Sequence, residues 1–241
     1  MTTSFTRPVR PVDGAAVVLA RGHGAKAEVL MGRRCPRAAF LPNIYVFPGG
    51  RVDPPDYDVP GSVELRPEVA RRLTRRCGAS PAPALAMAAI RETHEETGFL
   101  LGDPGAGHDA PCDATSPIWR AFAQAGATLA FGRLEYVARA ITPTLMPRRF
   151  NTRFFMVDAR HAMGELRQGG ELLDLRWVSL DGGWKKPNVV DVSQFGLGAV
   201  RERLALSSGQ RAALPVPVPR YLPTPGTRVL PRRRENDPFA C

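Results

Sequence analysis

Within residues 88–101, three glutamates crowd one face of a predicted helix that ends at Gly98. Glu92, Glu95 and Glu96 stand at positions i, i+3 and i+4, which places their Cβ atoms about 5–6 Å apart on a helix. Like charges at this spacing destabilise a helix, and Gly98 indicates that the helix ends there. The negative end of the helix macrodipole then disfavours each acid in the last turn by about 0.3–1 kcal/mol.

Two interpretations of this acidic face stay open from the spacing alone. A divalent cation above the face would offset the repulsion, because Mg²⁺ prefers hard oxygen ligands. Alternatively, the face is a solvated helix end that basic side chains such as Arg91 screen from its neighbours.

A longer pattern surrounds the acidic face. The sequence Phe-Pro-Gly-Gly ends at Gly50, and residues 91–99 read Arg-Glu-Thr-His-Glu-Glu-Thr-Gly-Phe. Together they resemble the signature of the Nudix hydrolases. That signature is a glycine, five residues, an acid, seven residues, Arg-Glu, a hydrophobe, any residue, Glu-Glu, any residue, Gly and a hydrophobe. Gly50 matches the first glycine, and Asp56 stands where the first acid is expected.

The chain departs from this signature at two points. Thr93 replaces the usual large hydrophobe, and residues 57–90 stand where the signature has only seven. The inserted segment, 54–80, contains a predicted helix at 62–76 with leucine and valine on one stripe and arginines on the other side. That helix is either a lid over the substrate or a surface helix that only packs its apolar stripe. The insertion leaves the role of Asp56 open.

The resemblance implies both a fold and a chemistry. The fold is an α/β/α sandwich with a mixed β-sheet, in which the signature forms a loop-helix-loop. By resemblance, Glu92 and Glu96 bind Mg²⁺ or Mn²⁺, and the carbonyl of Gly49 completes the metal shell. Glu95 binds the metal or acts as the catalytic base, and Arg91 braces a carboxylate or the loop at the catalytic site. The expected reaction is attack of a metal-activated water on a pyrophosphate bond.

Four arginines are candidate contacts for the substrate phosphates, because guanidinium groups match the geometry of phosphate oxygens. They are Arg33, Arg51, Arg149 and Arg153. The first belongs to a basic run at 33–37, and the last two belong to a predicted strand at 148–157. The alternatives are a solvated basic loop for the run and salt bridges to acids on neighbouring strands for the strand.

The same predicted strand bears on the identity of the substrate. Residues 147–155, together with the long insertion, resemble a Nudix branch that includes peroxisomal coenzyme A diphosphatases. Coenzyme A or acyl-coenzyme A is therefore the first expectation among nucleoside diphosphates linked to another group. Sugar nucleotides, dinucleotides and capped RNA stay open as substrates. A Nudix fold that binds a ligand without catalysis also stays open.

The net charge of +10 and an isoelectric point near 10.3 favour polyanionic partners, although solubility plus an arginine-rich tail would also explain them. The expected partner is a small nucleotide diphosphate. Nucleic acid is not favoured, and a homodimer stays open. Four widely separated cysteines argue against a zinc site or a disulfide framework. The apolar runs are too short for a membrane span, so the sequence predicts a cytoplasmic protein.

The chain divides into three predicted parts: a flexible arm at 1–12, a Nudix domain at 13–210, and a Pro/Arg-rich tail at 211–241. The predicted strands cover residues 15–21, 27–34, 44–47, 134–142, 148–157 and 171–179. The predicted helices outside the insertion cover residues 80–97, 117–125 and 190–206. Glu165 and Glu171 are candidate bases outside the signature, and each is otherwise a surface acid.

Overall fold

A mixed β-sheet forms the centre of the computed structural model, which describes residues 9–60, 63–74, 81–105, 116–144, 146–168, 170–181, 189–220 and 230–234. The strands are β1 (Val12–Arg21), β2 (Glu28–Arg34), β3 (Tyr45–Val46), β4 (Gly49–Arg51), β5 (Leu100–Pro104), β6 (Ala127–Leu129), β7 (Glu135–Ile141), β8 (Phe150–Asp158), β9 (Ala162–Met163), β10 (Leu172–Ser179), β11 (Pro217–Arg220) and β12 (Leu230–Arg234). The α-helices are α1 (Pro67–Thr74), α2 (Ala82–Thr97), α3 (Pro117–Ala125), α4 (Asp191–Leu204) and α5 (Ser208–Ala213).

The main sheet has the strand order β10-β2-β1-β8-β7, with β3 paired to β2 and β4 paired to β1. The pair of β1 and β8 is parallel, whereas β2 and β4 run antiparallel to β1. A smaller sheet has the order β6-β5-β9. The central strand β1 therefore has a parallel neighbour on one side and antiparallel neighbours on the other.

Alternate residues of β1 face two different apolar layers, as the period of two in a strand requires. Val17 and Leu19 belong to a buried cluster that includes Leu85 of α2 and residues of α1 and α3. Val18 belongs to a second cluster that includes Val200 of α4. Helices thus cover both faces of a mixed sheet, which confirms the predicted α/β/α architecture.

The signature helix α2 ends where the sequence predicts. Gly98 follows its last residue with φ = 80°, and its N–H donates to the carbonyl oxygen of His94. A side chain is disfavoured in this left-handed conformation, so glycine stops the helix there at little conformational cost. At the other end Pro81 occupies the capping position. The predicted cap, Ser80, lies outside the described residues.

The helix of the insertion packs into the core. α1 is shorter than the predicted helix at 62–76, whose residues 62, 75 and 76 lie outside the described part of the chain. Its apolar stripe, Leu65, Val69 and Leu73, belongs to the same buried cluster as α2. The structure therefore supports the packing interpretation of this helix.

The last described residues lie against the domain. Residues 211–220 belong to the tail in the sequence-based division, yet Val216 is fully buried and β11 lies against β7. The Arg211 guanidinium pairs with Glu135 of β7, and Arg72 of α1 donates to the carbonyl of Ala212. These contacts join α5 and β11 to the insertion and to the edge of the sheet.

Among the described residues, no helix is both long and apolar enough to cross a lipid bilayer.

Candidate functional site

The glycine turn of β4 lies directly beneath the acidic face of α2. The Gly49 N–H donates to Glu96 Oε2 at 2.8 Å. A Cβ atom on Gly50 would lie 2.3 Å from Glu92 Oε1, so only a residue without a side chain lets the carboxylate approach this closely. β4 is held in place because Gly49 and Gly50 pair with Ala16 and Ala15 of β1. Turn and helix therefore form one site.

Arg91 joins the helix to the loop that follows β4. Its Nε donates to Asp56 Oδ1 at 2.8 Å and its Nη2 to Asp56 Oδ2 at 2.9 Å. Asp56 is 1% exposed, and it also accepts the N–H of Asp53 at 2.8 Å. The inserted residues thus leave the signature's acid and arginine in bidentate contact.

The same guanidinium reaches two of the signature glutamates. Arg91 Nη1 donates to Glu92 Oε1 at 2.9 Å and to Glu95 Oε2 at 3.1 Å. Burial alone would lower the pKa of Arg91, but its hydrogen bonds to Asp56 and the charges of Glu92 and Asp56 raise it overall. Arg91 therefore stays charged, and one cation serves three carboxylates.

Glu96 lies deeper, and among the described residues no guanidinium contacts it. It is 5% exposed. Burial raises the pKa of Glu96 to about 8, the Gly49 N–H opposes that rise, and the charge of Glu92 adds to it. Burial also raises the pKa of Glu92, with Arg91 opposing. Two neighbouring carboxyl groups thus need more positive charge than the protein supplies if both are to ionise.

The donor chemistry of these residues fits a divalent cation. Glu92 and Glu96 offer hard oxygen ligands, and the backbone of Gly49 is adjacent to Glu96. The described part of the chain contains no group of three His, Cys, Asp or Glu side chains already set for a metal. Mg²⁺ keeps several waters and commonly uses only one or two protein carboxylates. The pair therefore fits such an ion, although a cage of three carboxylates is not formed.

A cavity of about 750 Å³ opens above this site. Its lining includes the acids Glu92, Glu95 and Glu171 and the bases Arg34, Arg37, Arg51 and Arg148. Arg34 lies 4.0 Å from the carboxylate of Glu171. This mixture of charges suits a ligand that carries phosphate groups beside a metal-binding site.

Only one of the four predicted phosphate-binding arginines, Arg51, lines the cavity. Its side chain is exposed and pairs with Asp53 at 2.7 Å. Arg33 donates instead to Asn43 Oδ1 at 2.9 Å. Arg149 donates to the carbonyls of Thr142 and Val9.

The prediction for Arg153 is wrong. This side chain is 1% exposed and pairs with Asp13 inside the protein. Thr152 and Phe154 of the same strand line the cavity, so the intervening Arg153 faces the opposite side of the sheet. The sequence identified the basic strand but not its phase, and in a strand an error of one residue reverses the face.

Glu171, a candidate base outside the signature, lines the cavity, and Glu165 is not among its lining residues. The Glu171 side chain is 80% exposed, and its backbone carbonyl accepts the N–H of Cys35. After burial and nearer neighbours, the charge of Glu171 also raises the pKa values of Glu92 and Glu96. Glu95 is 49% exposed on its side chain and lines the same wall.

Sequence reasoning missed an aromatic pair in this cavity. The rings of Phe40 and Phe150 lie with centroids 5.2 Å apart and planes tilted by 57°, and both residues line the cavity. The signal was present, because each phenylalanine follows an arginine-containing segment near the predicted phosphate site. Such rings can receive a planar base by stacking.

No protein-family model and no curated protein matches the chain. Solved structures do match. A Nudix hydrolase from Alicyclobacillus acidocaldarius is 28% identical, with a TM-score of 0.58, and the match covers 85% of this chain and 96% of that one. A MutT Nudix hydrolase from Burkholderia pseudomallei is 16% identical, with a TM-score of 0.46, over 80% of this chain and 99% of that one.

A third match is the Nudix domain of Shewanella oneidensis NrtR in complex with ADP ribose. It is 15% identical, with a TM-score of 0.47, over 85% of this chain and 99% of that one. The Alicyclobacillus structure shows that this chain is similar to a Nudix hydrolase in fold over nearly the whole of that protein.

The buried carboxyl group of Glu96 predicts how the stability of the metal-free protein depends on pH. Its pKa is about 8 in the folded state against 4.5 for the free group. The folded protein therefore holds this proton more tightly than the unfolded chain. The stability that results is complete below about pH 4.5 and is lost as the pH rises towards 8.

We expect the wild-type protein in chelator to lose a few kcal/mol of unfolding free energy between pH 5 and pH 8, relative to Glu96→Gln, at about 1.4 kcal/mol per pKa unit. Urea unfolding at both pH values measures this difference. Addition of Mg²⁺ at pH 8 should restore the unfolding free energy of the wild-type protein and leave that of the variant unchanged. If the unfolding free energies of the two proteins depended on pH in the same way, the raised pKa of Glu96 would be contradicted.

The two glycines of β4 predict different consequences for an added methyl group. In Gly50→Ala the Cβ meets the Glu92 carboxylate, which can swing away, so we expect Mn²⁺ affinity to fall about 10–100-fold with little loss of stability. In Gly49→Ala the Cβ would lie 2.4 Å from the Ala15 carbonyl oxygen, a backbone atom. That variant should lose stability instead. Manganese titration and thermal melts of both variants separate the effects, and equal losses of stability would contradict this prediction.

Proposed function

We propose that the protein is a metal-dependent hydrolase of the Nudix type, which cleaves the pyrophosphate bond of a nucleoside diphosphate linked to another group. One observation carries the proposal: Glu92 and Glu96 lie against the same glycine turn, burial raises the pKa values of both carboxyl groups, and Glu92 lines a cavity that also contains arginines. The similarity to the Alicyclobacillus Nudix hydrolase supports a hydrolase.

Glu92, Glu96 and the carbonyl of Gly49 are the proposed ligands of Mg²⁺ or Mn²⁺. When bound, such an ion would neutralise phosphate charge and lower the pKa of a coordinated water. The protein's own part is to hold the two carboxylates ready. Arg91 fixes Glu92 through a 2.9 Å hydrogen bond, and the Gly49 N–H fixes Glu96 at 2.8 Å.

The cavity arginines would hold the substrate's two phosphates in place. Arg34, Arg37, Arg51 and Arg148 line it, and guanidinium groups bind phosphate oxygens in a planar, paired geometry. The aromatic rings of Phe40 and Phe150 would receive the nucleobase or another planar group. This arrangement orients the bridging oxygen above the acidic face.

In the reaction, a water oxygen bonds to one phosphorus while the bond from that phosphorus to the bridging oxygen breaks. Both products are then phosphate monoesters. A carboxylate must accept the proton of the attacking water. Glu95 is our first candidate, because it is half exposed at the cavity wall and Arg91 Nη1 orients it at 3.1 Å. Glu171 is the alternative, because it lines the same wall from outside the signature.

Coenzyme A or acyl-coenzyme A remains our first choice of substrate. The insertion does not support this choice, because α1 packs in the core and no described residue of 54–80 lines the cavity. What remains is the strand around Arg148 and Phe150, whose sequence motivated the choice and whose side chains line the cavity. Sugar nucleotides, dinucleotides and capped RNA are the other candidates, and all share the pyrophosphate bond.

Glu96→Gln tests the proposed function. The substitution removes a metal-binding charge but keeps the shape and the hydrogen bond to Gly49, so we expect hydrolysis to fall at least about 100-fold with the fold retained. Product release should be measured on a panel of coenzyme A, ADP-ribose, a sugar nucleotide and a dinucleoside polyphosphate, each with Mg²⁺ and with Mn²⁺.

Glu165→Gln is the matched control, because Glu165 is an exposed acid that does not line the cavity. It should keep wild-type turnover. Wild-type turnover in Glu96→Gln would refute the metal site. Tight binding of a diphosphate by the wild-type protein, without turnover under any metal condition, would favour a non-catalytic binding protein.

The choice of base predicts a contrast between Glu95→Gln and Glu171→Gln. Loss of a general base lowers kcat about 10²–10⁴-fold, so we expect Glu95→Gln to fall in that range and Glu171→Gln to change by less than tenfold. The reverse pattern would assign the proton transfer to Glu171.

A further inference from the structure

A second cleft lies on the other side of α2 from its glutamates. It has a volume of about 530 Å³ and shares no lining residue with the cavity above Glu92. His94 and Gly98 at the end of α2 form one wall, and Met163, Gly164 and Arg167 form another. At 3.6 residues per turn, His94 projects roughly opposite to Glu92 and Glu96. We call this space the rear cleft.

The third wall of the rear cleft is one face of α3. Arg120 and Gln124 line it at a spacing of four residues, as do Pro117 and Ala121. Trp119 and the other large apolar residues of this helix are buried in the core. The periodicity that packs α3 against the sheet therefore presents Arg120 and Gln124 together to the cleft.

Two guanidinium groups in the rear cleft have no partner among the described residues. The side chains of Arg120 and Arg167 form neither an ion pair nor a hydrogen bond there. His94 Nδ1 is buried without a hydrogen bond. No carboxylate is among the residues that line the cleft. Arg120 and Arg167 are both exposed, so one helix and one loop each present an unpaired guanidinium group to the same cleft.

The backbone and the base of the Arg167 side chain lie against the end of α2. The Arg167 N–H donates to the carbonyl of Thr97 at 2.8 Å. An added Cβ on Gly98 would come within 2.9 Å of Arg167 Cγ. The charge of Arg167 lowers the pKa of His94, after burial. The exposed guanidinium group is therefore attached to a well-placed part of the chain.

The floor of the rear cleft is apolar, with Leu100 and Met163 beside Ala121. The volume lies in the range typical of small-molecule sites and exceeds what a bare phosphate ion needs. Paired guanidinium groups are the preferred partners of phosphate oxygens. The geometry therefore suits a phosphate group bonded to a compact apolar body.

We propose that the rear cleft is a non-catalytic binding site for a phosphate monoester. Arg120 and Arg167 contact the phosphate, and the apolar floor receives the organic group. The site stands on its own geometry. Its occupation by a reaction product rests on the proposed function, because pyrophosphate cleavage releases two phosphate monoesters. Since His94 and Gly98 belong to the helix that carries the catalytic acids, occupancy would then link product concentration to the active site.

Titration of phenyl phosphate into metal-free Glu96→Gln protein tests the site without turnover. We expect saturable shifts of the backbone amide signals of Gln124 and Gly164 in two-dimensional NMR spectra. The amide signal of Gly50 reports separately on the cavity above Glu92. Arg120→Gln and Arg167→Gln should each weaken the effect at the rear cleft at least tenfold. Arg201→Gln removes the same charge from an exposed position on α4 and should leave it unchanged.

Two further measurements keep the outcome clear. Arg120→Lys preserves charge without the paired donors, so binding should weaken even where Arg120→Gln does not fold. Inorganic phosphate should bind several-fold more weakly than phenyl phosphate, and equal affinity would overturn the ester assignment. Unmoved Gln124 and Gly164 signals, or equal losses in Arg201→Gln, would overturn the site itself. Neither result bears on hydrolysis, which Glu96→Gln tests in the separate turnover assay.

Discussion

The buried pair of Arg91 and Asp56 is the contact on which the acidic site depends. It holds the loop after β4 against α2, and the same guanidinium orients Glu92 and Glu95. Removing one partner from a buried ion pair typically costs about 3–5 kcal/mol, because the other charge is left without compensation. Here the loss would also change the position of the acidic site, because Arg91 holds the loop after β4 and orients Glu92 and Glu95.

Charge in this protein serves two different purposes. Around the cavity above Glu92, the side chains of Arg37, Arg51 and Arg148 are exposed and can contact a ligand. Beneath the sheet, Arg139 donates to Asn151, Asn151 donates to Asp13, and Asp13 pairs with Arg153. This second set is buried and its members hydrogen-bond to one another, while Arg153 Nη2 has no partner among the described residues. The positions of the charged residues therefore say more about binding partners than the net charge of +10 does.

Much of the site could be predicted because it depends on short spacings. The helix of Glu92 and Glu96, its end at Gly98 and the role of glycines beneath it all follow from residues close together in the chain. The two faces of β1 follow from its unbroken apolar run, which predicts burial on both sides. The phase of a basic strand does not follow in this way. Arg148 precedes a second arginine and Arg153 precedes a phenylalanine, and these neighbours do not distinguish them. Only packing decides which of the two reaches the cavity.

The insertion inside the signature has a consequence for how this fold tolerates length variation. Asp56 and Arg91 touch although the whole segment 57–90 separates them, and the apolar stripe of α1 packs beside α2 instead of covering the cavity. Loop-closure entropy grows slowly, by about 0.6 kcal/mol for each doubling of length. The segment between Asp56 and α1 is thus a natural place to graft new peptide, because the pair of Asp56 and Arg91 holds one end and the packing of α1 beside α2 holds the other.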